Sequence, residues 1–294
     1  MANARSGSGL PGPDAKPELP QTSKETREEA QEKEPGSKDV PLQQPSTARY
    51  QGSEGTKGLL ALGTLASSFQ YANSKEINNP EDLGKIGRGD VKFPIDGKYQ
   101  QTANIYVNET HKLIGTFTGE YDGQCYTISG LSDCFVDTLE GTIKNLKFTD
   151  AVITSKKKTT GLVACNVNGT VSDILADNVT ISTSGESAYA GIGGGRLEAG
   201  GKIANITAVS SHVKTSGFGA DAGIGGGRVK AGGTIADTTA VNCTVTTLNE
   251  NADAGIGGGG MVEAEGRIAS TTAVNCTVTT EWTNANAGIG GGGG

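Results

Sequence analysis

Ala190-Gly191-Ile192-Gly193-Gly194-Gly195 returns as Ala222 to Gly227, as Ala254 to Gly259 and as Ala287 to Gly292. A second series keeps step with it: Gly141-Thr142-Ile143, Gly169-Thr170-Val171, Gly201-Lys202-Ile203, Gly233-Thr234-Ile235 and Gly266-Arg267-Ile268. Its starts at 141, 169, 201, 233 and 266 are 28, 32, 32 and 33 residues apart. Two motifs locked in phase define one structural unit, repeated.

Aligned on these starts, Ile143, Val171, Ile203, Ile235 and Ile268 share one column, and Leu146, Ile174, Ile206, Thr238 and Thr271 a second. Ile153, Ile181, Val213, Val245 and Val278 form a third, and Leu162, Ile192, Ile224, Ile256 and Ile289 a fourth. β-Branched aliphatics alternate with Ala, Ser, Thr and Asn, the period-two pattern of strands with one buried face. A unit of two or three short strands cannot close a core alone; stacked units bury each column as a ladder, one coil per strand spacing of about 4.8 Å. The expected fold is all-β, a parallel β-solenoid. Gly191, Gly193, Gly223, Gly225, Gly255, Gly257, Gly288 and Gly290 are read as corners where the chain turns with positive φ. A phosphate-cradling loop would occur once and lead into a helix, so four copies in register are architecture.

Composition agrees. Aromatic residues make up 5% of 294 and glycine counts 46, so bulky apolar material for a broad core is scarce. Seven of nine prolines fall at or before Pro45, and none lies in the repeats, where proline would remove ladder hydrogen bonds. A net charge of -7 argues against a nucleic-acid partner. The basic run Lys156-Lys157-Lys158 reads as a solvated loop.

Residues 1–56 are rich in Pro, Gly, Ser, Glu and Lys and are expected to form a disordered leader, with Glu25 to Glu34 of transiently helical composition. Residues 57–76 hold the apolar stretch Gly58 to Ala66, read as a short buried or amphipathic helix. It is similar to a secretory core but lies deep in the chain, is too short to span a bilayer, and no signal is visible at Met1. Residues 77–140 read as a capping β region, with a turn at Asp122-Gly123, and 141–294 as the repeats.

The string Phe117-x-Gly119-x-Tyr121-Asp122-Gly123-x-x-Tyr126-Thr127-Ile128-Ser129-x-Leu131, followed by Gly141-Thr142-Ile143-Lys144-Asn145-Leu146, resembles the start of GLUG-type repeats. These occur in bacterial surface proteins and in the non-catalytic region of IgA-cleaving metallopeptidases. Gly161-Leu162-Val163-Ala164 is similar to the G-L-V-G core of that motif, with Ala164 in place of the final glycine, and the later repeats depart further as Ala-Gly-Ile-Gly-Gly-Gly. The resemblance implies a right-handed parallel β-helix with an adhesive role, secreted or at the cell surface. The H-E-x-x-H helix of those peptidases is absent.

No catalytic, cofactor or metal site is assigned. His111 and His212 are the two histidines, which makes either a Ser-His-Asp centre or a two-histidine zinc site hard to build. Asp173 and Asp237 share a column with Asn145, Asn205 and Ser270, which reads as a hydrogen-bonding turn ladder rather than a glycosidase pair. Thr183, Thr215, Thr247 and Thr280 make an unbroken column, a line rather than the plane an ice-binding surface needs. Cys243 and Cys276 occupy equivalent places about one strand spacing apart, within reach of a disulfide, and read rather as packed free thiols, while Cys125 and Cys134 bracket a turn and are candidates for pairing in an oxidising compartment. Asn-x-Thr patterns at Asn108, Asn168, Asn178, Asn205, Asn242 and Asn275 follow from the Thr-rich register.

The function expected is a structural or adhesive module that binds a host glycan, matrix or cell-surface ligand through the loops Ser184 to Tyr189, Ser216 to Asp221, Leu248 to Asp253 and Glu281 to Asn286. The alternatives are a β-helical polysaccharide-active enzyme and a purely structural stalk belonging to a larger protein. The last coil lacks a polar cap, so its edge is expected to fray or self-associate.

Overall fold

The structure is a computed structural model and describes residues 73–107 and 111–293, all within the second of two units, 54–294. The leader assigned to 1–56, residues 57–72 of the apolar segment and Asn108 lie outside the described residues. The described chain is a parallel β-solenoid with three faces.

The first face is built on five long strands, Thr142–Thr149, Thr170–Asp177, Lys202–Val209, Thr234–Val241 and Arg267–Val274, stacked in that order. Their register pairs Ile143 with Val171, Ile203, Ile235 and Ile268 in turn. The third face holds Val152–Ser155, Thr180–Thr183, His212–Thr215, Thr244–Thr247 and Thr277–Thr280, with Ile153, Ile181, Val213, Val245 and Val278 as rungs. Between them lies the glycine face. In its earlier coils two short strands meet at a bend, as in Tyr189–Gly191 and Gly194–Leu197; in the last two they fuse, as Ala254–Met261 and Ala287–Gly293.

All four apolar columns point inward. Ile143, Val171, Ile181, Ile192, Ile203, Ile224, Ile235, Val245 and Ile256 are essentially inaccessible, as are Ile153 and Val213, each worth about 1.5–3 kcal/mol of burial. The last coil differs, with Ile268 and Val278 only partly buried and Ile289 62% exposed, so these three are not enclosed as the column predicts.

The ladder does not begin at 141. Lys75–Ile77 pairs with Lys98–Gln101, that strand with Glu120–Asp122, and that one with Thr142–Thr149. Residues 77–140 thus share sheets with the repeats. Their core is aromatic: Phe93 stacks on Tyr99, and Phe135 meets Tyr121 and Phe148 edge-on at 5.2 and 5.7 Å. A one-turn helix, Pro80–Leu83, capped by the Asn79 side chain on the Asp82 amide at 2.8 Å, lays Leu83 into this end.

Glycine works here mainly through space. Of the eight glycines assigned to corners, Gly257 and Gly290 have positive φ, 105° and 100°; the other six do not. A Cβ on Gly191 would strike the carbonyl of Gly194 and stand 2.7 Å from the nitrogen of Gly227, and Gly223 bears the same relation to Gly226 and Gly259. The two halves of the face fold so closely that backbone packs on backbone. The left-handed corners belong instead to polar residues: Asn145, Asp173, Asn205, Asp237 and Ser270 in one column, and Asp150, Asn178, Ser210, Asn242 and Asn275 in another, all with φ of 47–57°. Asn, Asp and Ser tolerate this region because their short polar side chains bond locally.

Candidate functional site

The polar columns bond along the stack. Asn205 Nδ2 donates to Asp173 Oδ1 at 3.0 Å, Asn145 Nδ2 to Asp122 Oδ1 at 3.0 Å, and Asn178 Nδ2 to Asp150 Oδ1 at 2.7 Å. Asp173 is therefore tied to the asparagine between it and Asp237, and the two aspartates do not converge on a substrate position.

The threonine column faces inward. Thr183, Thr215 and Thr247 are buried; Thr215 Oγ1 donates to the carbonyl of Ala220, Thr247 Oγ1 to Ala252 at 2.6 Å, and Thr280 Oγ1 to Ala285 at 3.4 Å. These three hydroxyls tie the start of a corner loop to its end, while that of Thr183 is buried without a partner, so this column offers no lattice-matching surface. The loops in turn bond to one another, Ser187 N–H to Phe218 C=O at 2.8 Å and Gly219 N–H to Glu250 C=O at 3.0 Å. The stack exposes Glu186, Phe218, Glu250 and Thr283 at equivalent places, and Trp282 stands half exposed beside them.

The cysteines pair differently from expectation. Cys134 is joined to Cys165, with Cα atoms 5.8 Å apart, and Cys125 is free and exposed. The turn at Asp122-Gly123 carries Cys125 outward onto the first face, where its N–H bonds to Asn145 C=O, while Cys134 points into the core. Cys243 and Cys276 are free; Cys243 N–H donates to Cys276 Sγ at 3.4 Å, just as Val179 N–H donates to Ser211 Oγ at 3.2 Å two coils earlier in the stack. The thiol stands in for a serine strut, and burial pushes the Cys243 thiol pKa up. The Asp133 carboxylate lies within 4.8 Å of the Cys134 and Cys165 sulfurs, but the disulfide occupies both sulfurs and Lys157 holds Asp133 at 2.7 Å. His111 packs on Phe135 and burial lowers its pKa to about 4, whereas His212 is exposed on the third face.

The sequence columns did not single out a polar groove on the outer side of the glycine face. Thr138, Asn166, Asn168, Arg196, Glu198 and Ala199 line an open space of about 490 Å³. Arg196 bonds Glu198 through Nε and Nη2. In the next coil Arg228, the register partner of Arg196, stacks its guanidinium 5.1 Å from the Tyr189 ring centroid and donates to the Tyr189 hydroxyl at 2.6 Å. Glu263 Oε1 accepts from Lys230 at 2.7 Å and from Arg228 at 3.4 Å, and these bonds, Lys230 first, hold the Glu263 carboxyl below its usual pKa. Beneath Arg228, Asp221 is buried and accepts the Asp253 N–H at 3.0 Å. The signal was present as Gly195-Arg196 and Gly227-Arg228, an arginine directly after the glycine motif, interrupted by Gly260. Among the described residues no helix is long and apolar enough to cross a membrane.

No protein-family model matches the chain, and no curated protein matches it. Among solved structures the chain is similar to a Bacteroides ovatus protein described as a candidate immunoglobulin A1 protease, at 16% identity and a TM-score of 0.49, over 75% of this chain and 84% of that one.

Proposed function

We propose that the chain is a non-catalytic repeat module that adheres to a host glycan, matrix or cell-surface ligand by many weak contacts. The observation that carries this reading is the register of the corner loops. They hold different side chains at one coil spacing while bonding to each other through their backbones, so recognition varies without disturbing the scaffold. Repeated weak sites gain affinity through effective concentration. The exposed Phe218 and Trp282 are the apolar anchors such a surface needs. A secreted or surface location is supported by the Cys134–Cys165 bridge, since disulfides persist in oxidising compartments, and by the resemblance to GLUG-type repeats.

The test is display of the full chain on beads against cultured host cells and immobilised matrix, with the free chain as competitor. Beads should adhere and the free chain compete weakly. Phe218→Ser with Trp282→Ser should reduce adhesion several-fold. Beads that stay unbound, or adhesion indifferent to both loop changes, would count against it.

A further inference from the structure

The groove beside Ala164–Val167 and Gly194–Leu197 has a chemistry that the corner loops lack. No large apolar side chain lines it, so it does not select a hydrophobic ligand. Arg196 spends two donors on a single oxygen of Glu198; a guanidinium has five N–H donors and a carboxylate two oxygens, so the pair keeps donors and one acceptor side by side. In the next coil Lys230 takes the place of Glu198, and the carboxylate comes from the coil after it: Arg228 and Lys230 share one oxygen of Glu263 and leave the other. Each ion pair fixes its partner's rotamer before any ligand arrives, which lowers the ordering cost of binding.

Charge excludes a polyanion. Arg196, Arg228 and Lys230 face Glu198 and Glu263 in this strip, and Asp253 lies alongside, so the field nearly cancels where a sulfated or phosphorylated chain would need a positive track. A donor and an acceptor held at adjacent positions match two neighbouring hydroxyl groups instead. The coil spacing of about 4.8 Å is also close to the length of one pyranose, so successive sugars of a chain lying along the axis face successive coils.

We propose that this groove binds a neutral, hydroxyl-rich oligosaccharide laid along the solenoid axis, with Arg196 and Glu198 engaging adjacent hydroxyls of one sugar and the Arg228–Glu263 pair, on the two coils beyond, contacting the chain where it continues past the groove. The inference rests on the reading of the chain as a binding module and moves the specific contact from the loops to the glycine face.

The experiment is calorimetric titration of the full chain with linear oligosaccharides of glucose, mannose, galactose and N-acetylglucosamine, two to six sugars long, with heparin as the anionic comparator. At least one neutral series should bind, with affinity rising from two sugars to four. Arg196→Ala and the isosteric Glu198→Gln should each weaken binding about ten-fold or more, with Val152→Thr, a change at an exposed residue of the third face, leaving it unchanged. Glu198→Gln keeps the test decisive if Arg196→Ala disturbs folding. The inference is overturned if no neutral series binds, if heparin alone binds, or if both groove variants bind like the parent. Bead adhesion lost in the loop variants but kept in the groove variants would sink the groove assignment and leave the adhesive module standing.

Discussion

A Cβ placed on Gly191 would stand 2.7 Å from the backbone nitrogen of Gly227, one coil further on. Neither atom belongs to a side chain that can swing away, so the solenoid must open to admit a methyl group. Gly191→Ala and Gly223→Ala should each destabilise the fold by about 3 kcal/mol or more, the upper range for overpacking. Gly115, with nothing within 4 Å of its added Cβ, is the control: Gly115→Ala should stay within about 0.5 kcal/mol of the parent. Urea unfolding midpoints of the three variants check this, and similar losses in all three would refute the close-approach explanation.

Two buried threonines should answer in opposite directions. Thr247 Oγ1 bonds the Ala252 carbonyl at 2.6 Å, whereas Thr238 Oγ1 is buried with no partner in a column otherwise led by Leu146, Ile174 and Ile206. Thr247→Val should cost about 1–2 kcal/mol by orphaning a buried carbonyl, and Thr238→Val should be neutral or stabilising by about 1 kcal/mol. Thermal melts of the pair, read as a difference, make the comparison.

Asp221 sets a pH dependence. Burial pushes its carboxyl from 3.8 up to about 7, the charge of Asp253 adds to the push, and Arg228 opposes it. In the unfolded chain the same carboxyl ionises near 3.8. Between about pH 4 and pH 7 the folded state therefore binds more protons, and stability falls as pH rises through that window. Asp221→Asn keeps an oxygen for the Asp253 N–H and removes the charge. Relative to the parent it should gain on the order of 2–4 kcal/mol at pH 8 and nothing at pH 4. Denaturation at pH 4, 6 and 8 measures the difference, and a gain independent of pH would show that the charge is not the cause.

The Cys134–Cys165 bridge spans 31 residues. Loop-closure entropy for a span of that size is worth about 3–4 kcal/mol, so Cys134→Ser with Cys165→Ser should melt well below the parent. Thiol counting should find Cys125 labelled at once and Cys243 only on unfolding. Immediate labelling of Cys134 in the native chain would contradict the pairing.

The ladders were legible because Ile143, Val171, Ile203, Ile235 and Ile268 recur at a spacing that only stacking satisfies. The reason for each glycine was not, since a missing Cβ has the same appearance in a sequence whether backbone angle or space demands it. Asn145 and Asn205 carry the left-handed angles first assigned to Gly191 and Gly193. The partner of Cys134 was hidden because nearness in the chain favoured Cys125, and only the fold decides which of them turns inward. Arg196 and Arg228 escaped notice because the column breaks at Gly260, where a Cβ would collide with the Asp221 carboxylate.

Consecutive coils are joined by hydrogen bonds that run along the axis, and each coil holds about 32 residues. A pull on the two ends of such a spiral loads those bonds in series, and it extends one coil at a time. Each release exchanges a rise of about 4.8 Å for roughly 100 Å of slack chain. The disulfide withholds one of these increments, because residues 134 to 165 cannot pay out beyond their own cross-link. The bridge therefore shortens by one coil the length of chain that stretching can release.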